Sequence, residues 1–178
     1  MNPKNLLIQI QELHCDSKIG KDRHFIAADK KGTYGKKIGL TVVIINVLIG
    51  SMLINLIKEE ELKKIILSVF SLLAASLAAI QTFFNYAKDV ENHRKIGNLY
   101  LEIARDADNL LSRFKDNYID KENCQKDYDK LLMRYKLINK EEEVCPNSKR
   151  DYKRAYAKNK KNKERIRQLK EENNYQLD

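Results

Sequence analysis

The chain has 178 residues, a third of them charged, a formal net charge of +9, no tryptophan, two prolines and six glycines. That length suggests a single domain, and so few helix breakers leave little to oppose helix. A mean hydropathy of −0.58 resembles that of a soluble protein, but the average hides a division: the apolar residues gather between positions 38 and 87, and both flanks are polar.

Residues 1–37 form an N-terminal segment whose Leu6, Leu7, Ile10 and Leu13 fall at i, i+1, i+4 and i+7, the pattern of a short amphipathic helix over residues 4–14. The first apolar run begins only at Ile38. This is too late for a secretory h-region, and no small-residue cleavage site precedes it. The N-terminal segment is therefore expected to stay attached and cytoplasmic.

Residues 38–57, IGLTVVIINVLIGSMLINLI, carry no charge and are flanked by Lys36, Lys37, Lys58 and Glu59. Twenty helical residues at about 1.5 Å each match the roughly 30 Å hydrocarbon core of a bilayer. After a charged connection at 58–64, residues 65–87 are again uncharged and long enough to span with some tilt. A soluble core hairpin of this length would show a charged stripe, and neither run has one. The short connection makes the spans antiparallel and puts both termini on one side. Seven basic residues in 18–37 and four in 88–107, against three in the connection, place that side in the cytoplasm.

The second span is two-faced. At 100° per residue Ser71, Ala74, Ala78, Gln81, Thr82 and Asn85 share an arc of about 160° with Ser68, Ala75 and Ala79; Ile66, Val69, Phe70, Leu73, Leu77, Ile80 and Phe84 lie opposite, and Leu67 is the one bulky exception on the arc. Two readings compete for that arc. Small and polar residues let helices pack closely and bond across the contact. They also line water, because an unpartnered polar group in lipid costs several kcal/mol. A two-helix hairpin encloses no pore by itself, so conduction requires several copies. Asn46 and Asn55 in the first span are nine residues apart and cannot both face the sister span, so at least one is a candidate subunit contact.

Residues 88–145 read as a cytoplasmic helical region. Ile96, Leu99, Ile103, Ala107, Leu110 and Phe114 make one heptad-like, coiled-coil-like stripe; Cys124, Tyr128, Leu131, Tyr135 and Ile138 make a second; DNYIDKEN separates them. Such stripes read as core, within the chain or across subunits. In the final segment, 146–178, Pro146-Asn147-Ser148 is a stop, with Ser148 placed to cap a helix beginning at the next residue. Positions 149–170 hold eleven basic and two acidic residues. This is expected to be a solvated helix or a segment disordered until bound. Anionic headgroups are its leading partner; nucleic acid is not expected, because no base-reading module accompanies it.

Cys15, Cys124 and Cys145 form no CxxC pair, and the three histidines complete no metal-ligand spacing, so reduced thiols, no metal and no cofactor are expected. No phosphate-loop, dinucleotide, HExxH or GxSxG motif occurs, and no charge lies inside either span, which argues against an ion-coupled transporter. The chain is not expected to be an enzyme. His24 and His93 lie just outside the spans; they are packing histidines, or with Arg23 and Arg94 they form a candidate ligand or control site for an anion.

The segments HFIAAD (residues 24–29) and ENHRKIGNLY (residues 91–100), Gly39, the Gly50-Ser51 step and the order of these around the hairpin resemble the bacterial SLATT family, two-span proteins named for their association with SMODS and SLOG domains. The resemblance runs from about Leu6 to about Ile138 and leaves the basic segment outside. It implies an all-α membrane protein and an effector of antiviral defence that perturbs the inner membrane on a nucleotide-derived signal, causing abortive infection. A pore-forming homo-oligomer in the bilayer, answering a nucleotide-signalling or sensor partner, is the expectation; a non-conducting scaffold that recruits a partner through its helices and basic segment is the alternative.

Overall fold

A 48-residue helix, α1 (Pro3–Gly50), opens the chain in the computed structural model, which describes residues 3–51 and 57–174. It is followed by α2 (Glu60–Phe84), α3 (Tyr86–Lys115), α4 (Lys121–Glu141), a 3-10 turn at Glu142–Val144 and α5 (Lys149–Asn174). Among the described residues there is no strand. The all-α class is as expected, with two helices long and apolar enough to cross a membrane; positions 52–56 of the expected first span lie outside the described residues. Neither proline interrupts a helix: Pro3 begins α1 and Pro146 lies between the 3-10 turn and α5, where a missing N–H does least harm.

Three local features depart from the sequence reading. The N-terminal helix does not stop near residue 14; it is one helix with the start of the first span. The second apolar run is not one helix to residue 87. It ends at Phe84, and Asn85 takes a left-handed conformation (φ 39°, ψ 53°) that few residues other than glycine and asparagine tolerate. Asn85 then starts α3: its carbonyl accepts from Asp89 N at 3.2 Å and its Oδ1 from Lys88 N at 3.4 Å. The third departure is the basic segment, which forms the ordered, docked helix α5 rather than a free one.

The chain divides into two compact units: Met1–Ala28 with Glu91–Asp178, and Asp29–Val90. In the first, the two heptad-like stripes are core, as expected. Ile96, Tyr100, Ile103, Ala107 and Leu110 from α3 and Cys124, Leu131 and Ile138 from α4 close around Leu6, Ile10 and Leu13 of α1. The turn between α3 and α4 follows its chemistry. Asn117 is left-handed (φ 59°), Tyr118 N donates to Arg113 O at 2.9 Å and Asn117 N to Phe114 O at 3.3 Å, a Schellman stop. Asp120 then caps α4 by accepting from Asn123 N at 2.8 Å. Ser148 caps α5 as its position suggested: its Oγ accepts from Asp151 N at 3.2 Å and donates to Asp151 Oδ2 at 2.5 Å, a capping box with aspartate in the third helical position.

α5 lies on α1. Ala155 and Ile166 join Ile8, Cys15 and Ile19 in a second core cluster. Lys170 pairs with Glu12 at 2.8 Å, Lys163 with Asp16, and Asn159 donates to Asp22 at 2.9 Å. Part of the excess positive charge thus answers carboxylates of the same chain.

The second unit is the hairpin. Its helices fall in two stretches long and apolar enough to cross a membrane, Asn5–Gly50 and Glu60–Lys115; in the most apolar window none of the first stretch and 6% of the second is buried. Leu40, Val43, Val47, Ile65, Leu72 and Phe83 are all exposed. A soluble core helix would bury these side chains; a lipid-facing one exposes them.

Candidate functional site

Two constellations stand out, one in each unit. In the hairpin, Gly32, Gly35 and Gly39 repeat at i, i+3 and i+7 along one face of α1. A β-carbon on Gly35 would stand 3.0 Å from Cβ of Tyr86, and one on Gly39 would stand 3.6 Å from Nε2 of Gln81, so glycine permits the close approach of the two sides. The glycines form one wall of an open groove of about 1010 Å3, with Ala78, Gln81, Thr82 and Asn85 along the other.

Most of the polar arc of the second span is uncovered. Ala74 is buried; Ser71, Ala78, Gln81, Thr82 and Asn85 are exposed. The members are not equivalent. Thr82 Oγ1 donates to Ala78 O at 3.0 Å, so its hydroxyl is answered by its own helix, and Asn85 uses its side chain to start α3. Gln81 lines the groove with its amide beside Gly39, where a β-carbon would stand 3.6 Å from Nε2 and 3.7 Å from Oε1. Asn46 is exposed on α1, and Asn55 lies outside the described residues.

In the other unit, residues far apart in sequence meet in a buried polar group. His24 on α1 and His93 on α3 are both fully buried, with their Nδ1 atoms 3.1 Å apart. His24 Nε2 faces Glu142 Oε2 at 3.4 Å and the Asn147 carboxamide at 3.0 Å. The same Glu142 oxygen pairs with Arg23 and accepts from the fully buried Tyr100 hydroxyl at 2.6 Å, which also contacts Asn139 Oδ1 at 2.5 Å. Burial would raise the Glu142 carboxyl, but hydrogen bonds from His24 and Tyr100 and the Arg23 charge outweigh it and hold it below its usual range. The same burial and the bond to Glu142 push the Tyr100 hydroxyl well above the usual tyrosine value.

Of the four residues expected to hold an anion, the fold brings Arg23, His24 and His93 together, while Arg94 is exposed. Tyr100, Asn139 and Glu142 carry no site signal in the sequence beyond the place of Tyr100 in ENHRKIGNLY, and Asn147 is marked there only as part of a stop. The two segments that carried the family resemblance prove to be neighbours. Gly97 of the second packs on Phe25 of the first, where a β-carbon would come within 2.7 Å of its ring. Outside this group a cleft of about 550 Å3 is lined by Arg23, Glu142, Lys149, Tyr152 and Lys153.

An apolar, lipid-exposed helical hairpin joined to a polar-centred helical bundle defines a two-span integral membrane protein with a folded extramembrane unit. The sequence pattern of the SMODS and SLOG-associating 2TM effector domain family 4 matches residues 9–172, and the chain belongs to that family, as a two-transmembrane effector of bacterial conflict systems. The match runs through α5, which corrects the expectation that the basic segment lies outside the resemblance. No curated protein and no solved structure matches the chain.

Proposed function

We propose that the protein is a pore-forming effector of antiviral defence: several copies assemble in the inner membrane, with both termini cytoplasmic, and render it permeable when a nucleotide-derived signal reaches the folded unit. The observation that carries this reading is Gln81. It is exposed in the groove beside Gly39, and a primary amide left without a partner within a membrane costs several kcal/mol. A second copy or a column of water removes that cost, and the glycine-walled groove beside it admits a close helix approach. Exposed Asn46 is a further contact for a neighbouring copy. We place the signal at the cleft over Glu142, where Arg23, Lys149 and Lys153 offer positive charge to an anion and Tyr152 a face for a base.

The test is expression in cells together with the cognate signalling partner, with a potential-sensitive dye as readout. The wild type is expected to depolarise the membrane on signal. Gln81→Leu is expected to abolish the depolarisation at unchanged protein level in the membrane fraction. Unchanged depolarisation in Gln81→Leu contradicts the assignment of the arc.

A further inference from the structure

We propose that His24, His93 and Cys145 form a binding site for a zinc ion. The three residues are 69 and 52 positions apart in sequence, which is why no spacing motif announces them. In the fold, one ligand atom from each lies within 4.8 Å of both others, and all three residues are buried. His24 is on α1, His93 on α3, and Cys145 directly follows the 3-10 turn between α4 and α5. The Cys145 N–H donates to Glu142 O at 2.8 Å and fixes that turn.

The nitrogen pair fits the ion. Two imidazole nitrogens bound to zinc at about 2.0–2.1 Å in a tetrahedron stand roughly 3.3 Å apart; here the two Nδ1 atoms are 3.1 Å apart, with the rings tilted by 50°. Without a metal, two nitrogen lone pairs held at that distance require a proton between them. The tautomer follows from two neighbours of His24 Nε2, Glu142 Oε2 at 3.4 Å and the Asn147 carboxamide at 3.0 Å. With the Asn147 amide turned so that its otherwise unpartnered oxygen faces the ring, both accept, Nε2 carries the proton and Nδ1 turns its lone pair toward His93. A carboxylate on the far nitrogen of a metal-binding histidine is the usual orienting partner, and Arg23 and Tyr100 in turn hold that carboxylate. Two imidazoles and one thiolate select a borderline-soft ion, zinc before magnesium or calcium. With three protein ligands the fourth position is left for water or an incoming group. Bound there, the ion ties α1, α3 and the α4–α5 connection to one point.

The experiment is metal analysis of the full-length protein purified in detergent without chelator, followed by cobalt substitution. About one zinc per chain is expected in the wild type. His93→Ala and the conservative Cys145→Ser are expected to lose it while retaining helicity by circular dichroism. The cobalt-loaded wild type should show a thiolate-to-cobalt charge-transfer band that Cys145→Ser removes and that Cys15→Ser and Cys124→Ser leave intact. Burial pushes both of those control thiols up, which makes them poor thiolate donors. Wild-type protein that carries no more zinc than Cys145→Ser, or a charge-transfer band that survives Cys145→Ser, overturns the proposal, and neither readout requires that the protein form a pore.

Discussion

The ring of Tyr100 lies flat against the α1 backbone at Gly20: a β-carbon there would stand 2.8 Å from both Cγ and Cδ1 of the ring. Tyr100 cannot yield, because it is fully buried and its hydroxyl is held by Asn139 and Glu142. Alanine would gain about 1 kcal/mol of helix propensity at a glycine position, but forcing a methyl into a packed core costs typically about 1–3 kcal/mol. Gly20→Ala is expected to lower the thermal midpoint of the extramembrane unit. Gly50→Ala is the control, since among the described residues nothing lies within 4 Å of its added carbon. Differential scanning fluorimetry in detergent compares the two, and an unshifted midpoint in Gly20→Ala would show that the contact has slack.

The Glu142 carboxyl gives the unit an acid-sensitive component. Burial opposes its charge, and the facing His24, Tyr100 and Arg23 overcome that opposition, so its folded value is depressed. A depressed carboxyl contributes stability that is fully present above its unfolded value of about 4.3 and is lost as pH falls through the folded value. The wild type is expected to lose stability more steeply below about pH 4 than Glu142→Gln, which has no such group to protonate. Parallel melting-temperature profiles for the two proteins across the acid range would count against this role of Glu142.

The docking of α5 rests on the apolar contacts of Ala155 and Ile166 and on Glu12, Asp16 and Asp22 of α1. Residues 149–170 contain eleven trypsin sites, yet a docked helix resists cleavage because a protease needs an opened chain. The double variant Glu12→Lys with Asp16→Lys is expected to be cut within α5 much faster than the wild type in limited proteolysis. Equal cutting rates in the two proteins would mean that the charges do not hold the helix.

Asn85 separates two roles that the sequence alone merges. Because its backbone is left-handed, Asn85→Gly keeps the break between α2 and α3 while removing the amide, whereas Asn85→Leu adds roughly 1–2 kcal/mol of backbone strain. If the break matters and the amide does not, the glycine variant retains membrane activity and the leucine variant loses stability. Equal melting behaviour for both would show that the left-handed turn carries no cost.

Much of this fold could be read in advance where one periodicity dominates. The two uncharged runs, the α3 and α4 stripes, the stop around DNYIDKEN and the Ser148 cap all stem from local chemistry. The failures have a common cause. Between residues 15 and 28 the buried face of α1 is made mostly of Cys15, Ser17, Gly20, His24, Ala27 and Ala28, which carry little hydrophobic period; the apolar pattern therefore stops near residue 14 while the helix continues. α5 buries Asp151, Ala155 and Asn159, with Ile166 as its one large buried apolar residue, so its inner face is mostly small or polar and carries little hydrophobic period. Asn85 broke the second span without proline or glycine to mark it. The His24–His93 pair joins positions 69 residues apart, a distance that no linear motif spans.

Permeabilisation by copies of the hairpin assembled around the arc that holds Gln81 is tested most directly by purified protein reconstituted into anionic liposomes with an entrapped dye. A high protein-to-lipid ratio drives assembly by mass action without the signal. Dye release should rise more steeply than in proportion to that ratio, and Gln81→Leu should slow it by roughly tenfold or more, the factor that about 1.4 kcal/mol represents. Release that is unchanged in Gln81→Leu would contradict it.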